Sequence, residues 1–231
     1  MAQSPSSLAV RSIRSACNQL YTRFAWSYDA VTWLASRGEW SEWGRAALPF
    51  VPPGARVLEI AHGSGHLQLA LHQRGFAAVG VDLSAAMGSS TARRFARTQA
   101  GARPRLVRAD AHRLPFAAGS FDCVVCAFPA GFIFAETMLR EARRILSDEG
   151  RIVIVPHAVL RRRPLARALR FARGLVRDPA PGMPSVDLIR PALARAGFAL
   201  EPRVHETRRA EVTVWVCRTH PGAARWDRFS P

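Results

Sequence analysis

Short apolar runs alternate with amphipathic stretches between residues 51 and 160. "RVLEIA" (56–61) is a strand-type run that enters a glycine-punctuated turn. "HLQLALHQRG" (66–75) repeats at helical spacing until Gly75 closes it. "AAVGVDLS" (77–84), "PRLVRADA" (104–111), "SFDCVVCAF" (120–128) and "GRIVIVP" (150–156) are further strand candidates. Helices are predicted over 85–100 and over "FAETMLREARRIL" (134–146), the second stopped by "SDEG". Strands alternating with helices at this spacing predict a mostly parallel sheet covered on both faces. The rhythm breaks after Pro156, where 157–184 forms an arginine-rich insert closed by a proline- and glycine-rich loop. A helix at 185–197 follows. Two strand candidates then come in succession, "FALEPRV" and "EVTVWVCRT", with no helix between them, and predict a terminal hairpin that adds an antiparallel strand. Residues 1–50 read as a helical cap with interleaved aromatics, ended by Pro52-Pro53. The organisation expected is this cap, one α/β domain over 51–220 carrying the 157–184 insert, and a loose tail over 221–231.

At 231 residues the chain is long enough for one full α/β domain with its own core and an appendage. Its formal charge of +16 rests on 33 basic residues that are all arginine, a pattern that points to GC-rich coding. The charge therefore does not by itself imply a nucleic acid or an anionic membrane as partner. Cys123 and Cys126 lie in a strand-type run and are expected on opposite faces, as buried thiols rather than half of a zinc site. In the insert, Leu165, Leu169, Ala172 and Val176 share one helical stripe, with Arg163, Arg167, Arg170 and Arg177 opposite. That pattern suits either a lid over a site or a helix lying on an anionic bilayer. No signal-type core and no run of ~20 apolar residues is present, so the chain reads as cytoplasmic, with peripheral contact at the inner membrane face as one role for the insert.

The turn "EIAHGSG" (59–65) is where chemistry enters. Gly63 and Gly65 permit a backbone that passes close to a ligand, where a β-carbon would collide. An ordinary strand-to-helix turn, a dinucleotide site and another nucleoside site all remain compatible with it. The dinucleotide pattern G-x-G-x-x-G would put its third glycine at position 68, which is Gln68. Instead one acid, Glu59, stands inside the first strand end, and a second, Asp82, closes the next strand, where a carboxylate can accept two ribose hydroxyls.

"RADAHRLPF" at the third strand end distinguishes the readings. With it, the chain resembles the class I S-adenosylmethionine-dependent methyltransferases, in their Methyltransferase type 11 branch. "VLEIAHGSG" is similar to that family's first motif, "VDLSAAM" to its ribose motif, and "ADAHRLPFAAGSFDCV" to its adenine motif and fourth strand. "LREARRILSDEGRIVIV" is similar to the helix and strand that follow, and "FAWSYDAVTWL" resembles the N-terminal cap of ubiquinone/menaquinone biosynthesis C-methyltransferases. The resemblance implies a Rossmann-like, doubly wound, seven-stranded and mostly parallel sheet with an antiparallel C-terminal hairpin strand and an N-terminal helical cap. It also implies S-adenosylmethionine as cofactor and a small or lipophilic acceptor, with a quinone-like carbon as one case. Cofactor-binding residues carried over are Tyr28 in the cap, Glu59, Ala61, Gly63 and Gly65 in the first motif, Asp82, Leu83 and Met87 in the second, Asp110 and Ala111 in the third, and Phe128 after the fourth strand. Ala61 departs from the family's usual glycine, and the 157–184 insert matches no substrate class.

No metal is called for, because the transferred methyl is already activated. His157, expected just beyond the fifth strand, is a weak candidate for a catalytic base. His62 reads as a loop histidine, and Cys126 as core rather than nucleophile. Rival readings are a nucleic-acid methyltransferase, for which "CAFPAG" lacks the usual polar-Pro-Pro-aromatic motif, a non-catalytic nucleoside-binding scaffold, and a NAD-dependent oxidoreductase.

Overall fold

The central strands carry apolar side chains on both faces, as a sheet packed on two sides requires. Val57, Leu58 and Ile60 of β1 (Arg56–Ile60) are buried, as are Cys123 to Cys126 of β4 (Phe121–Ala127). With β2 (Ala77–Asp82), β3 (Arg105–Arg108), β5 (Leu146–Leu160), β6 (Phe198–Glu206) and β7 (Ala210–Thr219) they form one sheet of order β3-β2-β1-β4-β5-β7-β6. β1 to β5 pair in parallel, whereas β7 runs antiparallel to both β5 and β6. The predicted hairpin thus inserts its second strand between β5 and its first. This computed structural model describes residue 36 and residues 38–98, 102–129, 131–160 and 185–220. Tyr28 with the other aromatics before residue 36, the amphipathic stretch at 161–177 and the tail after 220 lie outside the described residues.

Helices cover both faces. On one side, α4 (Glu136–Ile145) and α5 (Val186–Arg195) bring Met138, Leu139 and Ile189 against Leu58, Val124, Ile152 and Trp215. On the other, α1 (Trp40–Arg45) and α2 (His66–Gln73) bring Trp43, Leu67 and Leu71 against Val57, Val125, Val153 and Val214. The period-2 alternation places Cys126 in the first core and Cys123 in the second, on opposite faces as expected. Burial raises both thiols, Cys123 to about 12, so neither is a ready nucleophile at neutral pH. α3 (Ala85–Thr98) follows β2 and buries Met87, Thr91 and Phe95, an i, i+4, i+8 stripe with one polar member. At the amino ends of the two central strands, Asp122 accepts the backbone N–H and the guanidinium of Arg56, tying the start of β1 to β4.

Two expectations change at β5, which begins at Leu146 and takes in the "SDEG" expected to separate helix from strand. The strand does not end at Pro156 but continues to Leu160, with a register shift between Ile154 and His157. His157 to Leu160 pair with Thr213 to Ala210 of β7. His157 therefore lies inside a strand rather than in a loop beyond it. The sequence pattern missed this because the proline breaks the apolar run, while β7 supplies hydrogen-bonding partners that local sequence does not announce.

Candidate functional site

The carboxyl ends of β1, β2, β3 and β4 share one edge of the sheet, since the strands are parallel and in register through Glu59–Gly80, Asp82–Arg108 and Glu59–Val125. Along that edge stand Ala61, Gly63, Gly65, Asp82, Leu83, Asp110, Ala111 and Phe128, all of the set that the sequence singled out, with His62 and Ser64 between the turn residues.

The turn after β1 is tightly determined. Ala61, Gly63 and Gly65 have φ of 55°, 55° and 81°, three left-handed residues in five. Gly65 N–H donates to the His62 carbonyl at 3.0 Å, and His62 N–H to the Val81 carbonyl at 3.3 Å. Gly63 N–H donates to Asp82 Oδ2 at 3.0 Å. The Gly63 carbonyl accepts the Thr91 hydroxyl at 3.0 Å and faces His62 Nδ1 at 2.9 Å, a contact that assigns the proton of the neutral ring to Nδ1. Arg94 Nε donates to the Ser64 carbonyl at 2.7 Å. The turn's backbone groups are thus held from β2 and α3 before any ligand arrives.

Gly65 in the turn owes its identity partly to packing. A β-carbon on Gly65 would lie 2.4 Å from Thr91 Cγ2, inside any permitted contact. Across the pair, Gly80 leaves room for His62, whose ring would lie 3.0 Å from a β-carbon there. His62 is accordingly buried, and burial lowers its pKa, the nearby Asp82 opposing the shift. It is a loop histidine, as read from the sequence, but a buried one that forms a structural part of the turn.

Asp82 is also buried, and it accepts two backbone N–H groups, from Gly63 through Oδ2 and from Ser84 through Oδ1 at 2.8 Å. Sequence reasoning anticipated its place at the strand end but missed this anchoring. It also missed Thr91 and Arg94, although the Met87-Thr91-Phe95 stripe marks Thr91 as a buried polar residue. Glu59 is buried with Oε2 lacking a hydrogen-bond partner. Burial, reinforced by the charge of Asp82, raises its carboxyl well above the usual range. A buried acid without a partner is costly, and an N–H or ammonium group of a ligand would satisfy it.

Leu83 is 66% exposed, an unusual state for leucine, and sits between buried Asp82 and half-buried Ser84. Asp110 is exposed and its Oδ1 accepts His112 N–H at 2.9 Å, while Ala111 is half-buried. Met87 differs from these, being wholly buried on the inner side of α3. Phe128 adopts φ 52°, donates its N–H to the Val155 carbonyl at 2.7 Å and stacks on Trp40 with ring centroids 4.1 Å apart. His157 stands apart on β5, where Nε2 meets Thr213 Oγ1 at 3.1 Å and Nδ1 is buried without a partner. Burial lowers its pKa and keeps the ring neutral at pH 7. An exposed apolar side chain beside Asp82, next to a glycine turn and a buried carboxyl with one unpartnered oxygen, fits a nucleoside carrying an amino-acid tail.

Comparison with known proteins agrees with this geometry. The family described as "Methyltransferase domain" matches residues 57–150. The demethylmenaquinone methyltransferase of Thermus thermophilus is 30% identical over 204 residues, which span 78% of this chain and 92% of that protein. A ubiquinone/menaquinone biosynthesis C-methyltransferase of Rhizobium johnstonii is 30% identical over 146 residues, covering 60% of this chain and 57% of that relative's length. Among solved structures, a SAM-dependent methyltransferase from Aquifex aeolicus superposes with a TM-score of 0.54 at 16% identity, over 78% of this chain and 92% of that one, a likeness of fold. The strand order, the glycine turn with its two acids, and these relatives together establish that the chain belongs to the S-adenosylmethionine-dependent methyltransferases, in the group that includes the demethylmenaquinone and ubiquinone/menaquinone biosynthesis enzymes.

Proposed function

We propose that this methyltransferase acts on carbon of a small, lipophilic, quinol-type acceptor, and that its donor is held along the carboxyl edge of β1 to β4. The observation that carries the donor site is the pre-formed turn at Ala61 to Gly65, pinned by Asp82, Thr91 and Arg94. A site already rigid loses little conformational entropy on binding. In this reading Glu59 accepts from the amino-acid end, and Ala61, Gly63 and Gly65 let the backbone approach it. Asp82 accepts from the ribose hydroxyls, Leu83 offers an apolar face to the base, with Met87 supporting it from the core, and Asp110 with Ala111 bounds the base edge. Phe128 on Trp40, with Tyr28 from the cap, closes the site against water. S-adenosylmethionine supplies a methyl group on a positively charged sulfur, primed for in-line displacement.

The acceptor assignment rests on the two quinone-pathway relatives, whose names specify such substrates. His157 is the proposed proton acceptor for an acceptor carbon or hydroxyl, supported by its position near the carboxyl end of β5 and by burial that lowers its pKa and favours the neutral ring. A lipophilic acceptor also favours peripheral contact with an anionic membrane through 160–177, while among the described residues no helix is long and apolar enough to cross one.

Calorimetry with S-adenosylhomocysteine, followed by transfer of labelled methyl to a short-chain demethylmenaquinol, tests the reading. Product binding together with a labelled quinol is expected. Product binding without transfer to any quinol would reject the acceptor class. Absence of both would reject the donor site. Replacing His157 with Ala is expected to slow transfer and leave donor affinity intact, and unchanged transfer would remove it from the mechanism.

A further inference from the structure

A groove of about 550 Å³ opens between α1, the end of α2 and the turn joining β6 to β7. None of the residues assigned to the donor lines it. Four arginines do, Arg45, Arg74, Arg208 and Arg209, together with the acids Glu39 and Glu42. Both acids are already engaged. Glu42 pairs with Arg45 at 2.6 Å, and Glu39 pairs with Arg209 at 3.5 Å while accepting the Trp43 indole N–H at 3.2 Å. Arg74 and Arg208 have no carboxylate partner among the described residues. Arg45 Nε is buried and lacks a hydrogen-bond partner.

Four guanidinium groups against two carboxylates leave an excess of positive charge in a concave space of ligand size. Like charges lining one groove repel one another, and an unpartnered buried donor is costly. Both penalties are relieved by an anion able to accept several N–H bonds at once. Guanidinium forks match phosphate oxygens in spacing and charge, and Thr207 and His205 on the groove wall add polar surface. The β6–β7 turn that carries Arg208 and Arg209 lies beside the end of β5, because Ala210 pairs with Leu160.

We propose that this groove is a second binding site, for a phosphate-type oxyanion such as a diphosphate or a phospholipid headgroup. It recognises charge and oxygen geometry through Arg74, Arg208 and the free donors of Arg45. The inference does not depend on the acceptor proposed above or on the donor site.

The test uses the full chain, a paired Arg74→Ala/Arg208→Ala variant and the milder Arg74→Gln/Arg208→Gln. Calorimetry with inorganic pyrophosphate gives one arm, and sedimentation with phosphatidylglycerol vesicles, against phosphatidylcholine vesicles, gives the other. Binding of pyrophosphate by the wild-type chain, weakened about tenfold or more in both variants, would identify a soluble phosphate ligand. Retention by phosphatidylglycerol vesicles alone, lost in both variants, would identify a lipid headgroup. Affinity for S-adenosylhomocysteine and the unfolding midpoint are expected to stay at wild-type values, which separates failure here from failure of the fold or of the donor site. If the wild-type chain binds neither probe, or the variants bind as the wild type does, the site is refuted.

Discussion

Replacing Gly65 with Ala tests whether the glycine turn is shaped by the protein or by the ligand. The new β-carbon would lie 2.4 Å from Thr91 Cγ2, 2.6 Å from Thr91 Oγ1 and 2.9 Å from Thr91 Cβ. Thr91 is fully buried on α3 and its hydroxyl is committed to the Gly63 carbonyl, so it has no alternative rotamer free of cost. Overpacking of this kind costs about 1–3 kcal/mol. Residue 65 also sits at φ 81°, where an alanine loses about 1–2 kcal/mol, partly offset by the smaller entropy of the unfolded alanine chain. A loss of about 2–4 kcal/mol is expected, measured as the fall in unfolding free energy in urea. In a Thr91→Ala background the two nearest atoms are gone, leaving only the 2.9 Å contact, and the cost of Gly65→Ala is expected to drop by about 1 kcal/mol or more. Equal costs in the two backgrounds would refute the packing argument. Unchanged stability with lost binding of S-adenosylhomocysteine would show instead that the glycine serves the ligand alone.

Ala61→Gly relieves a left-handed alanine at φ 55° and is expected to raise unfolding free energy by up to about 1 kcal/mol; a lower value would mean the alanine is unstrained. Glu59 retains its proton in the fold at pH values where the unfolded chain has lost it, because burial raises its carboxyl. Its contribution is therefore present below the unfolded pKa and is lost as pH rises toward the folded one, by up to about 1.4 kcal/mol per pH unit. Glu59→Gln should remove that slope and be the more stable protein at neutral pH, so parallel stability curves for the two would contradict the buried-acid reading. Asp82→Asn replaces an oxygen that accepts a backbone N–H by an amide that donates, and it removes the charge offered to a ribose. Affinity for S-adenosylhomocysteine should fall about tenfold or more, and an unaltered affinity in calorimetry would exclude Asp82 from the donor site.

Local sequence determined the parts of this protein that depend on periodicity and on backbone freedom. Mainly apolar runs at 57–60, interrupted by Glu59, and at 123–126 specify buried strands, and alternation with amphipathic segments leaves a parallel sheet as the way to cover them. Gly63, Gly65 and Asp82 could be placed at strand ends for the same reason. Tertiary structure decided what depends on partners distant in the chain. Residues 157–160 are a strand only because β7 pairs with them, which moves His157 out of a loop and into the sheet. Thr91 is a clamp only because α3 lies against the turn, 28 residues away in sequence from the carbonyl it holds. Asp82 anchors the turn as well as closing β2, since the fold brings Gly63 N–H to its carboxylate. Hydrophobic period is written along a segment, whereas hydrogen-bond partnership and close packing are written between segments, and only the folded chain brings those together.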